Sequence, residues 1–220
     1  EGVKVNLRNE RQTDKKFPEC ALDAIRNYSA VNISYSHSGG LMELRKGLVE
    51  KYYRKIGIDI NVDELIVTVA GSESVNLALE IACDPGDEVL VLEPFYTNYN
   101  TFAFMNKLTL KAIATDIRNG FQIPPIEEFE KAITPKTKAI LICNPGNPTG
   151  TQYSKESMLA LGEIARKHDL FLLSDEVYRE FCYTDEPHFS AMNIPGLEQN
   201  VILIDSVSKR YNLCGARVGC

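Results

Sequence analysis

The strongest constraint on the fold is a series of short apolar runs that alternate with segments of helical spacing. The runs, all after about residue 61, are LIVTVA, PGDEVLVLE, LTLKAIAT, TKAILICN, LFLLSDE and VILIDSVS. Strands that are apolar at nearly every position are buried on both faces, which is typical of parallel strands covered by helices. The sequence therefore predicts an α/β fold in which a mostly parallel sheet is sandwiched by helices.

The same patterns predict the boundaries of elements and domains. LIVTVA is predicted to be a strand, and the helix after it has Val75, Ala78, Leu79 and Ala82 at i, i+3, i+4 and i+7. Further helices are predicted over residues 41–55 and 154–168, within YTNYNTFAFM and within PPIEEFEKAI. Residues 1–60 are interpreted as an N-terminal arm and linker helix, and residues 61–220 as the α/β domain.

The composition excludes several classes of protein. The formal net charge is −6 and the basic residues are scattered, so no basic stripe is available for nucleic acid as the main partner. The longest apolar run is far too short to span a bilayer, and no signal peptide is recognisable. We therefore expect neither a nucleic-acid partner nor a membrane partner.

The spacing of the cysteines argues against a disulfide framework, and the spacing of the histidines argues against a metal site. The six cysteines form no C-x-x-C pair, which is typical of core thiols in a reduced cytoplasmic protein. His37, His168 and His188 lie far apart in the sequence and show no metal-ligand spacing. The sequence therefore predicts a cytoplasmic location and no metal.

Two motifs follow apolar runs and suggest ligand contacts, because ligands in such sheets bind at the carboxyl ends of the strands. GSES places Gly71, Ser72 and Glu73 at a helix start, where free N–H groups suit a phosphate. The structural alternative is that Ser72 simply caps the helix. In NPGNPTG, the prolines and glycines hold Asn147 rigidly, which is more constraint than a turn alone requires.

A carboxylate and a lysine follow two further runs. Asp175 ends LFLLSD, where an unpaired carboxylate would be costly, so we expect a cation to face it; Tyr178 lies one turn later. Lys209 is predicted to end the VILIDSVS strand, with Arg217 eight positions on. The alternatives are a helix cap for Asp175 and an ordinary solvated lysine for Lys209. One ligand satisfies a phosphate seat, an amide, a carboxylate and a lysine together, namely pyridoxal 5′-phosphate.

These motifs resemble the class I/II aminotransferases, which are fold-type I pyridoxal-phosphate-dependent enzymes. The matching stretches, from about residue 35 to 219, are YSHSGGLMELRKGL, GSES, PGDEVLVLEPFYTNY, ITPKTKAILICNPGNPTG, SDEVY and SVSKRYNLCGARVG. EPFYTNYN is most similar to the aspartate-aminotransferase-like branch. The resemblance implies that the α/β domain is the large, cofactor-binding domain of such an enzyme.

The resemblance also implies a role for each matching residue. Lys209 would form the Schiff base, Asp175 would pair with the ring nitrogen, and Tyr178 and Asn147 would bond the phenolic oxygen. The implied phosphate ligands are Gly71, Ser72, Glu73, Ser206 and Arg217. Tyr96 would stack on the ring, with Phe95 and Tyr99 as competitors for that role. Tyr35 would reach the phosphate of a neighbouring subunit, which implies a homodimer with shared sites.

Three departures from the family pattern qualify these expectations. The family continues with a C-terminal small domain that carries the arginine for the substrate carboxylate, and we expect both to be absent from these 220 residues. The chain by itself is therefore expected to bind cofactor but to transaminate poorly. The stretch from residue 7 to 18 has no G-x-P-D-like turn beside the substrate, and Gly146 stands where asparagine is common.

The leading functional prediction is an aminotransferase that moves an amino group from aspartate or a similar amino acid to 2-oxoglutarate. The same cofactor residues would also serve a lyase or decarboxylase of the same fold, since they do not select which bond to Cα breaks. A third reading is a non-catalytic module that senses the cofactor, although no helix-turn-helix or basic arm occurs. Nucleotide binding is disfavoured, because neither G-x-G-x-x-G nor G-x-x-x-x-G-K-[ST] is present.

Overall fold

A computed structural model of the chain describes residues 16–29, 32 and 34–220. Five strands form one sheet in the order β2-β1-β3-β4-β5, and every neighbouring pair is parallel. The strands are β1 Glu88–Glu93, β2 Thr109–Ala114, β3 Thr137–Cys143, β4 Phe171–Asp175 and β5 Val201–Ile204. The prediction of a parallel α/β sheet is therefore confirmed.

Seven α-helices and several single 3₁₀ turns connect or precede the strands in the described residues. The helices are α1 Glu19–Arg26, α2 Met42–Lys51, α3 Ala70–Ala82, α4 Asn98–Met105, α5 Ile126–Ala132, α6 Lys155–Lys167 and α7 Val207–Arg210. α6 begins after Ser154, whose hydroxyl accepts a hydrogen bond from the Ser157 N–H, a typical N-cap. Within these residues no helix is long and apolar enough to cross a membrane.

The two faces of the sheet bury alternate strand residues against different helices, because successive side chains of a strand point to opposite faces. One core packs Leu90, Ile140 and Leu172 against α5 and α6. The other packs Val91, Leu141 and Leu173 against α3 and α4. Apolar residues on both faces explain why the strands read as nearly continuous apolar runs.

The linker helix packs onto the α/β domain through a third, smaller core. Val49, Tyr53 and Ile58 are buried there with Leu65, and the partly buried Leu203 of β5 packs against them. The cluster crosses the boundary predicted near residue 60. The division into an arm and a domain stays a prediction, and residues 1–15 of the arm lie outside the described residues.

One predicted element was wrong, and another ends earlier than predicted. LIVTVA is not a strand, since Thr68 forms an isolated antiparallel bridge with Gly219 and Ala70, at φ 61°, turns the chain into α3. The segment has the composition of a strand, but only one of its residues, Thr68, forms a bridge to another segment. A strand requires a continuous series of such backbone pairs. The predicted helix over residues 41–55 ends at Lys51 and is followed by a 3₁₀ turn, Tyr53–Ile56.

The register of the sheet determines where functional side chains meet. Cys143 of β3 lies opposite Asp175 of β4, which in turn lies opposite Ile204 of β5. These three strands therefore end at the same level. The segments NPGNPTG, DEVY and DSVSK leave the sheet side by side from its carboxyl edge.

Candidate active site

A cavity of about 220 Å³ opens at the carboxyl ends of β3, β4 and β5. Nine of the residues predicted from the sequence line it: Gly71, Ser72, Tyr96, Asn147, Asp175, Tyr178, Ser206, Lys209 and Arg217. Two other predicted residues lie elsewhere. Glu73 is exposed and accepts a hydrogen bond from the Val69 N–H, and Tyr35 is fully exposed on the segment before α2.

The first turn of α3 forms one wall of the cavity. Gly71 lies against the lysine-bearing segment, and a Cβ at this position would come within 3.3 Å of Val177 Cγ1 and 3.7 Å of Ser206 Cβ. Gly219 approaches even more closely, since a Cβ there would lie 2.5 Å from the carbonyl carbon of Ala70. The helix start, with its free N–H groups and positive dipole end, is thus held against Ser206.

Asp175 lies buried at the end of β4 and faces the cavity. Tyr99 donates its hydroxyl hydrogen to Asp175 Oδ2 at 2.8 Å, and the Val177 N–H donates to Oδ1 at 3.3 Å. Burial is the main cause that raises the pKa of Asp175 to about 6, and the nearby charges of Asp205 and Glu176 add to it. The hydrogen bonds from Tyr99 and Val177 lower the pKa and so limit the rise.

The raised pKa of Asp175 predicts a pH-dependent stability for the chain without any ligand. The folded state keeps the carboxyl proton between about pH 4 and pH 6, where the unfolded chain has already lost it, so stability falls as the pH rises through this window. The shift corresponds to a loss of about 3 kcal/mol that is complete above about pH 7.

Urea unfolding from pH 4 to pH 8, with Asp175→Asn as the matched control, measures this contribution. The difference in unfolding free energy between wild type and variant should change by about 3 kcal/mol across the window. A difference that is independent of pH would show that Asp175 titrates normally.

Tyr99 is a site residue whose role the sequence did not reveal. It was predicted only as a competitor of Tyr96 for ring stacking, but it is fully buried behind the cavity. Its ring packs edge-on against Tyr96, with centroids 5.5 Å apart, and its hydroxyl supports Asp175. Tyr96 itself lines the cavity, whereas Phe95 does not. No sequence signal distinguishes a tyrosine that stacks from one that holds a carboxylate.

Lys209 does not directly end a strand, as predicted, but lies five positions after β5 in the single turn α7. Ser206 caps this turn, since its Oγ accepts from the Ser208 N–H at 3.1 Å and donates to the Val218 carbonyl at 3.0 Å. Arg217 closes the segment with a left-handed backbone, at φ 54°, and donates to the Cys214 carbonyl at 2.8 Å. The lysine thus reaches the cavity from a capped turn.

A second cavity, of about 420 Å³, adjoins the first. Both cavities are lined by Asn147, Tyr178, Ser208, Lys209 and Cys214. Lys209 therefore borders both spaces.

The comparison with known protein families identifies the family. The model of the family "Aminotransferase class I and II" matches residues 5–220. The chain belongs to this family. It is 33% identical over 220 residues to the aspartate/prephenate aminotransferase of Thermus thermophilus, a match that covers 100% of this chain and 56% of that protein.

Other relatives agree with this assignment. The aspartate aminotransferase of Geobacillus stearothermophilus is 32% identical over 210 residues, covering 94% of this chain and 53% of the relative. The crystal structure of the Thermotoga maritima aspartate aminotransferase matches with a TM-score of 0.89 and 32% identity, covering 96% of this chain and 56% of that one. The chain spans about half the length of the relatives it matches.

Members of the family use pyridoxal 5′-phosphate, and the cavity fits this cofactor. The buried carboxylate of Asp175 suits a protonated ring nitrogen, and Tyr96 offers an aromatic face. The start of α3 and the Ser206 hydroxyl suit a phosphate, and Lys209 supplies an amine for the aldehyde. The ring nitrogen, the ring face, the phosphate and the aldehyde of the cofactor thus each have a chemically matched residue in one cavity.

Proposed function

We propose that this chain forms the cofactor-binding part of an aminotransferase that moves an amino group between an amino acid and a 2-oxo acid. The observation that carries the proposal is the meeting of Lys209, Asp175 and the start of α3 around one cavity. Bound pyridoxal phosphate supplies an electron sink for the bonds at the amino acid's Cα. The protein residues bind and orient the reactants and move the protons.

Asp175, together with Tyr99 behind it, would act on the ring nitrogen of the cofactor. The ionised carboxylate favours a protonated ring nitrogen, which keeps the ring an effective electron acceptor. Tyr99 orients this carboxylate from behind, through its 2.8 Å hydrogen bond. Tyr178 and Asn147 line both cavities and would hold the phenolic oxygen, and Tyr96 would stack on the ring.

Lys209 is the proposed acid and base. With pyridoxal phosphate bound, its amine would hold the cofactor until an amino acid takes its place, and the freed Nζ would take the proton from the amino acid's Cα as a base and give it back to the cofactor as an acid. Ser206, Arg217 and the first turn of α3 line the cavity and would grip the phosphate. Glu73 contributes only through its main chain, because its carboxylate is turned back to Val69. This grip would fix the ring relative to Lys209 through both half-reactions.

The substrates and the assembly belong to the same proposal. The relatives named above are aspartate or aspartate/prephenate aminotransferases, which supports aspartate or a similar amino acid as donor and 2-oxoglutarate as acceptor. Tyr35 is fully exposed outside the cavity, as required if it reaches the phosphate of a neighbouring subunit in a homodimer. We place this enzyme in the cytoplasm.

A single-turnover experiment tests the proposal. The chain is loaded with pyridoxal phosphate, freed of excess and mixed with L-aspartate, and the products are measured by mass spectrometry. We expect oxaloacetate and pyridoxamine 5′-phosphate in equal amounts, formed slowly because the chain by itself is expected to transaminate poorly, and 2-oxoglutarate should reverse the cofactor change. Release of ammonia or carbon dioxide from the amino acid, without conversion of the cofactor, would replace the proposal with a lyase or decarboxylase. Failure to bind the cofactor would overturn it.

A further inference from the structure

The turn that carries Lys209 is too short to hold its own shape. α7 has four residues, Val207–Arg210, and isolated helices of this length are unstable in water, because nucleation costs more than one turn of hydrogen bonds returns. The direction of the Lys209 side chain must therefore be determined by contacts at the two ends of the turn. Ser206 supplies the contact at the start.

Arg210 supplies the contact at the end. Its Nη2 donates to both carboxylate oxygens of Asp205 at 2.7 Å. The side chains are almost completely buried, with exposed fractions of 6% for Arg210 and 2% for Asp205. Asp205 precedes α7 and Arg210 ends it, so this ion pair closes a clasp across the turn.

The Asp205 end of the clasp is itself fixed. Its carboxylate also accepts hydrogen bonds from the Tyr53 hydroxyl at 2.9 Å and from the Ser206 N–H at 2.7 Å. Its backbone pairs with Cys220 in both directions, at 2.9 and 3.1 Å. Arg210 is therefore anchored to a rigid point and not to a mobile surface carboxylate.

Tyr52, the residue that follows α2, covers the other side of the guanidinium. Arg210 Cζ lies 3.9 Å from the centre of the Tyr52 ring, which is close enough for a cation–π contact. The Tyr52 hydroxyl donates to Glu180 Oε1 at 2.6 Å, and Arg210 Nε lies 3.5 Å from the same oxygen. The flat guanidinium is thus held between a carboxylate at its end and a ring on its face.

We propose that Arg210 is a positioning residue that directs Lys209 into the cavity. Adjacent residues of a helix point about 100° apart around its axis, so anchoring Arg210 on the side of Tyr52 fixes the rotation of α7 and turns Lys209 about 100° away from that side, into the cavity. A buried ion pair is weak evidence for stability, since apolar residues of similar size often serve as well. In this chain, the Arg210–Asp205 ion pair instead sets the orientation of α7. The inference rests on the proposed role of Lys209.

Two measurements separate positioning from simple destabilisation. Attachment of pyridoxal phosphate to Lys209 requires the amine to reach the aldehyde, and its rate is measured by quenching with borohydride and quantifying the reduced adduct. Binding of pyridoxine 5′-phosphate requires only the cavity, because this ligand has no aldehyde. The variants are Arg210→Ala, Arg210→Lys, which keeps a cation beside buried Asp205, and Tyr52→Leu, which keeps the ion pair.

The matched control is Arg118→Ala. Arg118 also donates side-chain hydrogen bonds to both oxygens of one carboxylate, that of Asp116, but its side chain is 87% exposed in a 3₁₀ turn between β2 and α5. We expect Arg210→Ala and Arg210→Lys to slow attachment roughly 10- to 100-fold, as sub-ångström to ångström misplacement of a reacting group does. Tyr52→Leu should slow it less, and Arg118→Ala should leave it unchanged. The affinity for pyridoxine 5′-phosphate should stay within about threefold throughout.

The outcomes distinguish this inference from the proposed function. Attachment by Arg210→Lys at the wild-type rate would overturn the positioning role and leave the proposed function standing. An equal loss of attachment and of pyridoxine 5′-phosphate affinity would also overturn it, since it would show that the cavity has collapsed. Failure of the wild-type chain to attach pyridoxal phosphate at Lys209 would overturn the proposed function and this inference with it.

Discussion

Replacing Lys209 by alanine is expected to abolish the covalent attachment of pyridoxal phosphate to this chain. Lys209 is the one lysine among the residues that line the two described cavities. Attachment requires an amine within bonding distance of the aldehyde in the orientation that the phosphate grip imposes. Lysines elsewhere on the surface meet the aldehyde only by collision, so their adducts should be few and scattered.

The measurement is peptide mass spectrometry after borohydride reduction of the chain mixed with pyridoxal phosphate. In wild type, the reduced adduct should lie on the peptide that contains Lys209, close to one per chain. In Lys209→Ala and in Lys209→Arg, which keeps the positive charge, that adduct should fall to the background of exposed lysines. Lys136→Ala, at an exposed turn, is the control and should label as wild type does. An undiminished specific adduct in Lys209→Ala would place the reactive amine elsewhere.

Replacing Asp175 by asparagine is expected to weaken the affinity for pyridoxine 5′-phosphate at pH 7.5 by roughly 10- to 100-fold. At that pH the carboxyl group, whose pKa is about 6, is ionised in wild type. A hydrogen bond to a charged partner contributes about 1.5–3 kcal/mol, and each 1.4 kcal/mol corresponds to tenfold in affinity. Asparagine has nearly the same shape and can still accept from Tyr99, but it lacks the charge that favours a protonated ring nitrogen.

The 1-deaza analogue of pyridoxine 5′-phosphate provides the matched control for this prediction. Its ring carries C–H in place of the nitrogen and has nothing to pair with Asp175. Calorimetric titration should therefore show that wild type and Asp175→Asn bind the analogue within about twofold of each other. If the variant loses affinity equally for both ligands, the loss comes from a change in the shape of the cavity, and Asp175 does not bind the ring nitrogen.

The features that were predicted correctly from the sequence depend on local pattern. β1, β2, β3, β4 and β5 were recognised because strands buried on both faces must be apolar at nearly every position. Asn147, Asp175 and Lys209 were expected at one site because each follows such a strand, and parallel strands end at one edge. The same reasoning wrongly predicted a strand at LIVTVA, because an apolar composition does not provide a neighbouring strand for the backbone to pair with.

The features that were missed depend on which distant side chains become neighbours. Tyr99 and Asp175 are 76 positions apart, and their hydrogen bond forms because α4 packs behind the end of β4. Tyr52 reaches Arg210 only because the segment at the end of α2 packs against β5. From the local sequence, a tyrosine can equally be read as an aromatic packing residue and an arginine as a surface charge. Nothing in the local sequence indicates that Tyr99 bonds Asp175 or that Tyr52 packs on Arg210.

The sequence by itself determined the class of fold, the edge of the sheet where ligands bind and most of the residues that meet there. These follow from periodicity and from the positions of polar residues after apolar runs, both of which are local properties. The tertiary structure alone decided that Tyr99 holds Asp175, that the Glu73 carboxylate turns away, and that Arg210 is clasped behind Lys209. Each of these depends on packing between segments far apart in the chain, because the environment of a buried polar group is set by whatever side chains the fold brings to it.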